Sequence, residues 1–247
     1  MSNKETFLPR DGRPPYPLIC ITPLLGRLFF LEDLFLERRI ARFFSKNGFA
    51  AAVIDRPIFE FDPRRGLEQI QEYLEESVRR NKSSLDSLLQ RKEIDPTRIG
   101  TYGISFGAIV NSLWAAADPR LKAHVFALGG GNLPEIILTS RDPLMKSFRN
   151  AMVEAAHEAA PAAEELKNEM RKIFRVDPLD AARSISRENV QLHLAIFDRV
   201  IRFRYGLSFR EALGKPETIF IPLGHYSSLL AIPFLTPGVL SFFRKKL

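Results

Sequence analysis

Short apolar runs alternate with longer segments of helical periodicity along most of the chain. The runs are bounded by Gly, Pro, Asp or Asn, which is typical of strands buried on both faces. They lie at residues 18–22, 49–54, 98–102, 123–128, 190–197 and 218–222. Amphipathic segments separate them, at residues 32–47, 64–91 and 106–117, and a last helix is expected within residues 238–246. This alternation predicts an α/β fold, with a mostly parallel sheet of about six strands and helices on both faces.

One long stretch interrupts the alternation. Residues 133–187 are rich in alanine and charged residues and contain no strand-like run. We interpret this block as a helical cap inserted into a core domain of residues 1–132 and 188–247. Its larger apolar residues either line a substrate pocket or pack the cap onto the core, and the sequence leaves both interpretations open: Met145, Phe148, Met152, Met170, Ile173 and Phe174.

Composition narrows the class of protein further. The chain has 247 residues and a single cysteine, Cys20, which excludes an intrachain disulfide and cysteine-rich zinc sites. The formal net charge is +7, but the basic residues are scattered among acidic ones, so we expect no nucleic-acid partner. The first residues are charged and lack the apolar core of a signal peptide, so a cytoplasmic protein is expected.

An uncharged stretch near the C-terminus, residues 226–243, approaches the length of a membrane span. Pro233, Pro237 and Gly238 interrupt it. We therefore expect a buried loop followed by a short terminal helix, and no integral membrane segment.

Gly103-Ile104-Ser105-Phe106-Gly107 is a G-x-S-x-G pattern between a predicted strand and a predicted helix. A nucleophile elbow needs this setting, because its serine sits on a sharp strand-to-helix turn with the hydroxyl exposed. Gly103 and Gly107 let the strand and the helix pass close together. The N-terminus of the helix favours a developing oxyanion. We predict Ser105 as a catalytic nucleophile.

A serine hydroxyl needs a general base, and the chain has four histidines. His124 and His193 lie inside predicted strands and are expected to be core residues, and His157 lies in the helical block. His225 follows the last predicted strand. Parallel sheets bind ligands at the carboxyl ends of their strands, where Ser105 also lies, so we predict His225 as the base.

The base needs a carboxylate to orient it. Asp198 follows a predicted strand at the same edge of the sheet. The chain order Ser105, Asp198, His225 is the one expected for this elbow. The competing interpretation of Asp198 is an ion pair with Arg199 or Arg202.

Acyl transfer also needs two N–H donors for the oxyanion. The first candidate is the N–H of Phe106, directly after the serine. The loop after the first predicted strand supplies the second, and we predict Leu24 or Leu25 because Pro23 has no N–H. The alternative is that this loop only turns the chain. No histidine pair has metal-ligand spacing and no phosphate-binding glycine motif occurs, so neither a metal nor a cofactor is expected.

These motifs resemble those of the α/β-hydrolase superfamily, in the branch of dienelactone hydrolases, acetyl esterases and prolyl-oligopeptidase-like serine hydrolases. The resemblance begins at about Leu18 and rests on residues 95–100 leading into 103–107, on 177–179 and on 224–226. It implies an α/β-hydrolase fold.

The chain departs from the family pattern in three places. Thr22-Pro23 replaces a frequent His-Gly in the oxyanion loop, and Arg202 stands where a proline often follows the acid. The family's first two strands are expected to be absent, because only 17 residues precede Leu18.

Triad and resemblance together imply a serine hydrolase that cleaves a small-molecule carboxylic ester through an acyl-enzyme intermediate. The same triad would serve a peptidase, a thioesterase, a lactonase or an acyltransferase. A non-catalytic binding protein on the same fold is a third hypothesis, favoured by the unusual oxyanion and acid loops and opposed by the complete triad order. We expect Tyr226, which follows the predicted base, to help line the substrate pocket.

Overall fold

Seven strands form one sheet in the computed structural model, which describes residues 5–25, 35–57, 62, 65, 68–155 and 163–247, without the side chains of 151–166 and 169. In chain order the strands are β1 (Glu5–Phe7), β2 (Tyr16–Thr22), β3 (Ala50–Val53), β4 (Ile94–Ile104), β5 (Leu121–Ala127), β6 (Val190–Ala195) and β7 (Glu217–Ile221). Their order across the sheet is β1-β3-β2-β4-β5-β6-β7. β1 pairs antiparallel with β3, and every other pairing is parallel. The predicted mostly parallel sheet is confirmed.

Helices cover both faces of this sheet. They are α1 (Phe35–Ser45), α2 (Glu68–Leu88), α3 (Phe106–Ala117), α4 (Leu133–Thr139), α5 (Pro143–Ala155), α6 (Ala163–Ile173), α7 (Pro178–Ala181), α8 (Phe203–Ala212) and α9 (His225–Lys246), with short 3-10 turns at Ala182–Ser184 and Arg187–Asn189. α1 and α9 pack on one face, and α2, α3 and α8 pack on the other.

β2 shows why both faces are covered. Its side chains alternate, so that Leu18 and Cys20 pack toward α2 and α3, whereas Ile19 and Ile21 pack toward α1 and α9. All four side chains are fully buried. Burial on both faces fixes the register of the strand, and this register sets where the loop after β2 leaves the sheet.

The edge strand β1 differs from the expectation that no strand precedes residue 18. It is only three residues long, too short for a periodic pattern to be read from the sequence. An ion pair between Glu5 and Arg38 of α1, with an N–O distance of 2.6 Å, ties this edge to the neighbouring helix.

The loop predicted before the terminal helix is wrong, because α9 is continuous from His225 to Lys246 and contains both Pro233 and Pro237. The terminal helix expected within residues 238–246 is present as the last part of α9. A proline inside a helix removes a donor N–H and clashes with the preceding turn. Here the buried face of α9, which includes Ile232, Val239 and Phe243, packs against the sheet and against α1 and offsets that loss. By length and composition α9 could also cross a membrane.

The stretch between β5 and β6 is helical, as its composition indicates, and contains α4 to α7. Ile136 and Ile137 of α4 pack in one buried cluster with Ile70 of α2 and Ile109 of α3. This packing places α4 beside the carboxyl end of β4. The limits of a separate cap at residues 133 and 187 stay a prediction.

Candidate active site

Ser105 occupies the turn between β4 and α3. Its backbone has φ 56° and ψ −118°, and its side chain does not cap the helix that it precedes. A non-glycine residue with positive φ is strained, and such strain is typical of functional sites. The Ser105 N–H donates to Ala127 O at 2.8 Å, which ties the turn to β5. Because the Ser105 hydroxyl does not cap α3, it is available to another side chain.

The two glycines of the motif permit this turn. A Cβ on Gly103 would lie 2.3 Å from Gly107 O, and a Cβ on Gly107 would lie 2.3 Å from Thr22 O. Both acceptors are backbone atoms, which cannot move aside as a flexible side chain could. The turn therefore requires glycine at both positions.

His225 is the first residue of α9, directly after β7 and the short loop that follows it. Its Nε2 lies 2.9 Å from Ser105 Oγ. His225 is only 5% exposed, whereas Ser105 is partly exposed, so the hydrogen bond between them is partly buried. The structure thus brings together two residues 120 positions apart in the chain.

Asp198 completes the chain of hydrogen bonds. Its Oδ2 lies 2.6 Å from His225 Nδ1, and its Oδ1 accepts from the N–H groups of Val200 and Ile201 at 2.8 and 2.9 Å. The carboxylate is 7% exposed, and the contacts described for it are with these groups rather than with Arg199 or Arg202. Two backbone donors hold one oxygen, so the other is aimed at the imidazole.

The two oxyanion donors predicted in the loop after β2 are not equivalent. Leu24 N–H donates to Glu37 Oε1 at 3.0 Å, and that carboxylate is only 2% exposed. The prediction of Leu24 as an oxyanion donor is therefore wrong, because its N–H is already engaged by a buried side chain. In the described part of the chain, the N–H groups of Leu25 and Phe106 have no protein acceptor, and both residues line the cavity that contains Ser105.

A buried hydrogen-bond network joins the oxyanion loop to the nucleophile helix. Thr22, at the end of β2, donates from Oγ1 to Asn111 Oδ1 of α3 at 2.6 Å. Asn81 Nδ2 of α2 donates to the same Thr22 Oγ1 at 2.9 Å. These two hydrogen bonds tie the end of β2 to α3 and α2, and Asn111 Nδ2 is left without a partner among the described residues.

The cavity beside Ser105 has a volume of about 360 Å³ and is lined mainly by apolar side chains. They come from the loop after β2, from α2 to α5, from the loop between β6 and α8 and from α9, and include Leu25, Ile70, Leu74, Ile109, Leu133, Ile136, Ile137, Val200 and Leu229. Asp142 is the one carboxylate among the described lining residues. An apolar cavity with a few convergent polar groups is the usual form of a small-molecule site.

The predicted pocket residues divide into two groups. Met145 and Tyr226 line the cavity. Phe148 and Phe174 do not, because Phe148 is fully buried in the cluster behind the cavity and Phe174 packs against that cluster, as do Met170 and Ile173. The packing interpretation is the right one for these four residues. The side chain of Met152 lies outside the described residues.

Tyr226 also links α9 to α5 across the cavity. Its hydroxyl donates to Asp142 Oδ2 at 2.5 Å, and Asp142 Oδ1 accepts the N–H groups at the start of α5. Burial, and after it the Asp142 carboxylate, raises the pKa of Tyr226 above its ordinary value. The phenol therefore stays protonated and donates to the carboxylate.

Other residues of the site carry no motif. Tyr73 of α2 lines the cavity with its ring 5.4 Å from that of Phe106, and its hydroxyl donates to Pro57 O at 2.9 Å. Glu37 is the one residue among these that the sequence pattern could have indicated, because it shares the buried face of α1 with Ile40, Ala41 and Phe44. An acidic residue on an apolar helix face implies a specific partner.

The remaining histidines stand apart from the site. His124 and His193 are buried in β5 and β6, as predicted, and burial lowers the pKa of each to about 4. His157 lies outside the described residues. Within the described ranges, no group of three or more His, Cys, Asp or Glu side chains could hold a metal ion.

Several solved structures have the same architecture. The acetyl xylan esterase from Paenibacillus sp. R4 matches with a TM-score of 0.70 and 16% identity over 99% of this chain and 79% of that one. Est1E from Butyrivibrio proteoclasticus matches with a TM-score of 0.67 and 15% identity over 99% of this chain and 93% of that one. The α/β hydrolase GrgF from Penicillium sp. sh18 matches with a TM-score of 0.64 and 15% identity over 100% of this chain and 99% of that one. No protein-family model and no curated protein matches the chain.

Proposed function

We propose that this chain, which has the α/β-hydrolase fold, is a serine hydrolase that cleaves carboxylic esters with an apolar acyl group. The observation that carries the proposal is the continuous hydrogen-bonded series from Ser105 through His225 to Asp198 at the wall of an apolar cavity. A strained serine at a helix N-terminus, a base and an orienting acid are the parts that acyl transfer needs.

The reaction begins at Ser105 Oγ. As this oxygen bonds to the ester carbonyl carbon, its proton passes to His225 Nε2, 2.9 Å away, and the carbonyl electron pair moves onto the carbonyl oxygen. Asp198 keeps the Nδ1 proton on the far side of the ring and stabilises the imidazolium. When the tetrahedral intermediate collapses, the alcohol leaves with the proton from Nε2 and the acyl-enzyme remains. Water then attacks the acyl carbon and gives a proton to His225. When the second tetrahedral intermediate collapses, the bond from Ser105 Oγ to the acyl carbon breaks, His225 returns the proton to Ser105 Oγ and the carboxylic acid leaves.

The negative oxygen of each tetrahedral intermediate needs donors that are already in place. The N–H groups of Phe106 and Leu25 have no other acceptor among the described residues and belong to residues that line the cavity. Phe106 is the first residue of α3, so the partial positive charge of that helix end supports its donor.

The cavity walls favour a neutral acyl chain. Nearly every described lining side chain is aliphatic or aromatic, and Asp142 would oppose an acyl group that carries a negative charge. Burial of each methylene of an acyl chain contributes about 0.8 kcal/mol, so an ester whose acyl chain fills the cavity binds more tightly than an acetyl ester. The acetyl xylan esterase with a similar fold agrees with this reaction class.

The test is steady-state hydrolysis of p-nitrophenyl acetate, butyrate and octanoate by the protein and its Ser105→Ala variant. We expect turnover that favours the longer chains and falls by about a thousandfold or more in the variant. Ser208→Ala is the matched control, because Ser208 is an exposed serine on α8 whose hydroxyl donates to Arg204 O. Wild-type activity in Ser105→Ala would refute the proposal. Turnover of a thioester or peptide substrate, tested in parallel, without turnover of these esters would change the substrate class.

A further inference from the structure

The loop after β2 is held at both ends of Leu24. Its N–H donates to the buried carboxylate of Glu37 on α1 at 3.0 Å. Its carbonyl oxygen accepts from Arg56 Nη1 at 3.1 Å, and Arg56 lies just beyond the end of β3. Two side chains of opposite charge, from separate parts of the chain, thus bind the N–H and the carbonyl oxygen of Leu24.

The carbonyl that Arg56 holds belongs to the same planar peptide as the N–H of Leu25. In a trans peptide the C=O and the N–H point in opposite directions. A guanidinium fixed on the oxygen therefore fixes the direction of the N–H as well. Since Leu25 lines the cavity with Ser105, this peptide presents its N–H on the side away from Arg56.

Charge adds to orientation. A cation that donates to a carbonyl oxygen withdraws electron density from the peptide and makes its N–H a stronger donor. Glu37 holds the preceding peptide, so its negative charge lies one peptide further from Leu25.

We infer that Arg56 is a positioning residue for the oxyanion: it orients and polarises the 24–25 peptide, so that Leu25 N–H binds the negative oxygen of the tetrahedral intermediate. This inference rests on the proposed function. It assigns Arg56 a role in the transition state, exerted through the backbone of the loop that it contacts.

Three variants separate the two effects of Arg56. Arg56→Lys keeps the charge, Arg56→Gln keeps a donor without charge, and Arg56→Met removes both. We expect kcat/KM for p-nitrophenyl butyrate to fall about tenfold to a hundredfold in Arg56→Met, with partial rescue in Arg56→Gln and greater rescue in Arg56→Lys. The matched control is Arg98→Met, since Arg98 also donates to a backbone carbonyl, Pro15 O at 3.1 Å, but near the amino end of β4.

A pair of inhibitors distinguishes this role from a general effect on the pocket. Ser105 Oγ bonds to the carbonyl carbon of an alkyl trifluoromethyl ketone, its proton passes to His225 Nε2 and the carbonyl oxygen becomes an oxyanion. The matching alkyl methyl ketone occupies the cavity without that step. We expect the affinity for the trifluoromethyl ketone to fall by the same factor as kcat/KM across the Arg56 variants, and the affinity for the methyl ketone to stay within twofold.

The inference is overturned if Arg56→Met and Arg56→Gln keep kcat/KM within twofold of wild type, or if both ketones weaken by the same factor. Equal losses in Arg56→Met and Arg98→Met would also overturn it. A wild-type protein without Ser105-dependent turnover and without affinity for the trifluoromethyl ketone would instead refute the proposed function, and the inference with it.

Discussion

At the scale of the residue, the site depends on side chains whose hydrogen bonds leave one atom available. Ser105 has a φ of 56°, and its N–H is tied to β5 while its hydroxyl points to His225. Asp198 has one oxygen held by two N–H groups and the other by the imidazole. Each group therefore has one orientation that satisfies its neighbours.

Asp198→Asn tests this arrangement. The asparagine oxygen must accept from the N–H groups of Val200 and Ile201, so its NH₂ group faces His225 Nδ1. The imidazole then accepts at Nδ1 and carries its proton on Nε2, where it no longer takes one from Ser105. We expect kcat/KM for p-nitrophenyl butyrate to fall by about a thousandfold to ten-thousandfold. Asp86→Asn, at an exposed carboxylate paired with Arg120, should stay within twofold, and similar activities in the two variants would contradict the assigned role.

The sequence predicts those site residues whose position follows from the neighbouring strand or helix. Ser105, Asp198 and His225 each follow a strand, and the topology of a parallel sheet brings strand ends together. The choice between Leu24 and Leu25 could not be made, because the deciding contact comes from Glu37, which lies 13 positions later on α1. Hydrogen bonds between separate elements leave no periodic pattern.

At the scale of the element, the crossing of α3 over the end of β2 decides whether the elbow forms. Gly107→Ala places a Cβ 2.3 Å from Thr22 O, and two backbone segments would have to separate. We expect the free energy of unfolding in urea to fall by about 2 kcal/mol or more. A result within 0.5 kcal/mol of wild type would be about what a surface substitution gives, and would contradict the close contact.

Gly238→Ala is the control for that experiment. Gly238 lies inside α9, and a Cβ there meets no atom within 4 Å. Alanine in a helix interior is favoured over glycine by about 0.5–1 kcal/mol, so this variant should be as stable as wild type or more stable.

α9 illustrates where element prediction failed. Proline is a strong helix breaker in isolation, and Pro233 and Pro237 led to the expectation of a loop. The sequence pattern does not show that the neighbouring residues Ile232, Val239 and Phe243 all face the sheet and α1. Tertiary packing over 22 residues overrode the local preference.

At the scale of the whole molecule, the predicted α/β-hydrolase fold is confirmed. Apolar runs at regular intervals identified six strands of the sheet, and the seventh, β1, was missed because it is three residues long. The cavity could not be predicted, since its walls come from helices far apart in the chain. The sequence contained the candidate lining residues but not which of them face the cavity, as Phe148 and Phe174 show.

Two buried histidines make the stability of the fold depend on pH. Burial lowers the pKa of His124 and of His193 from 6.5 to about 4. Below about pH 6.5 the two imidazoles bind protons in the unfolded chain but not in the folded protein. The free energy of unfolding is therefore greatest above that pH and falls toward pH 4. We expect each histidine to lower the free energy of unfolding by about 2 kcal/mol between pH 8 and pH 5.

Urea denaturation at several pH values checks this expectation. A double variant, His124→Asn with His193→Gln, keeps polar atoms near Thr101 Oγ1 and Gln191 Oε1, the partners of the two rings. Its stability should change by about 4 kcal/mol less than that of the wild type over the same pH range. The same pH dependence in both proteins would show that these histidines do not resist protonation in the fold.

Covalent labelling shows whether Ser105 is an activated nucleophile. Wild type and Ser105→Ala are treated with an alkyl fluorophosphonate and measured as intact proteins by mass spectrometry. We expect one adduct on the wild type, formed as Ser105 Oγ bonds to phosphorus and fluoride leaves, and none on the variant. An unlabelled wild type, or an adduct that persists in Ser105→Ala, would contradict it.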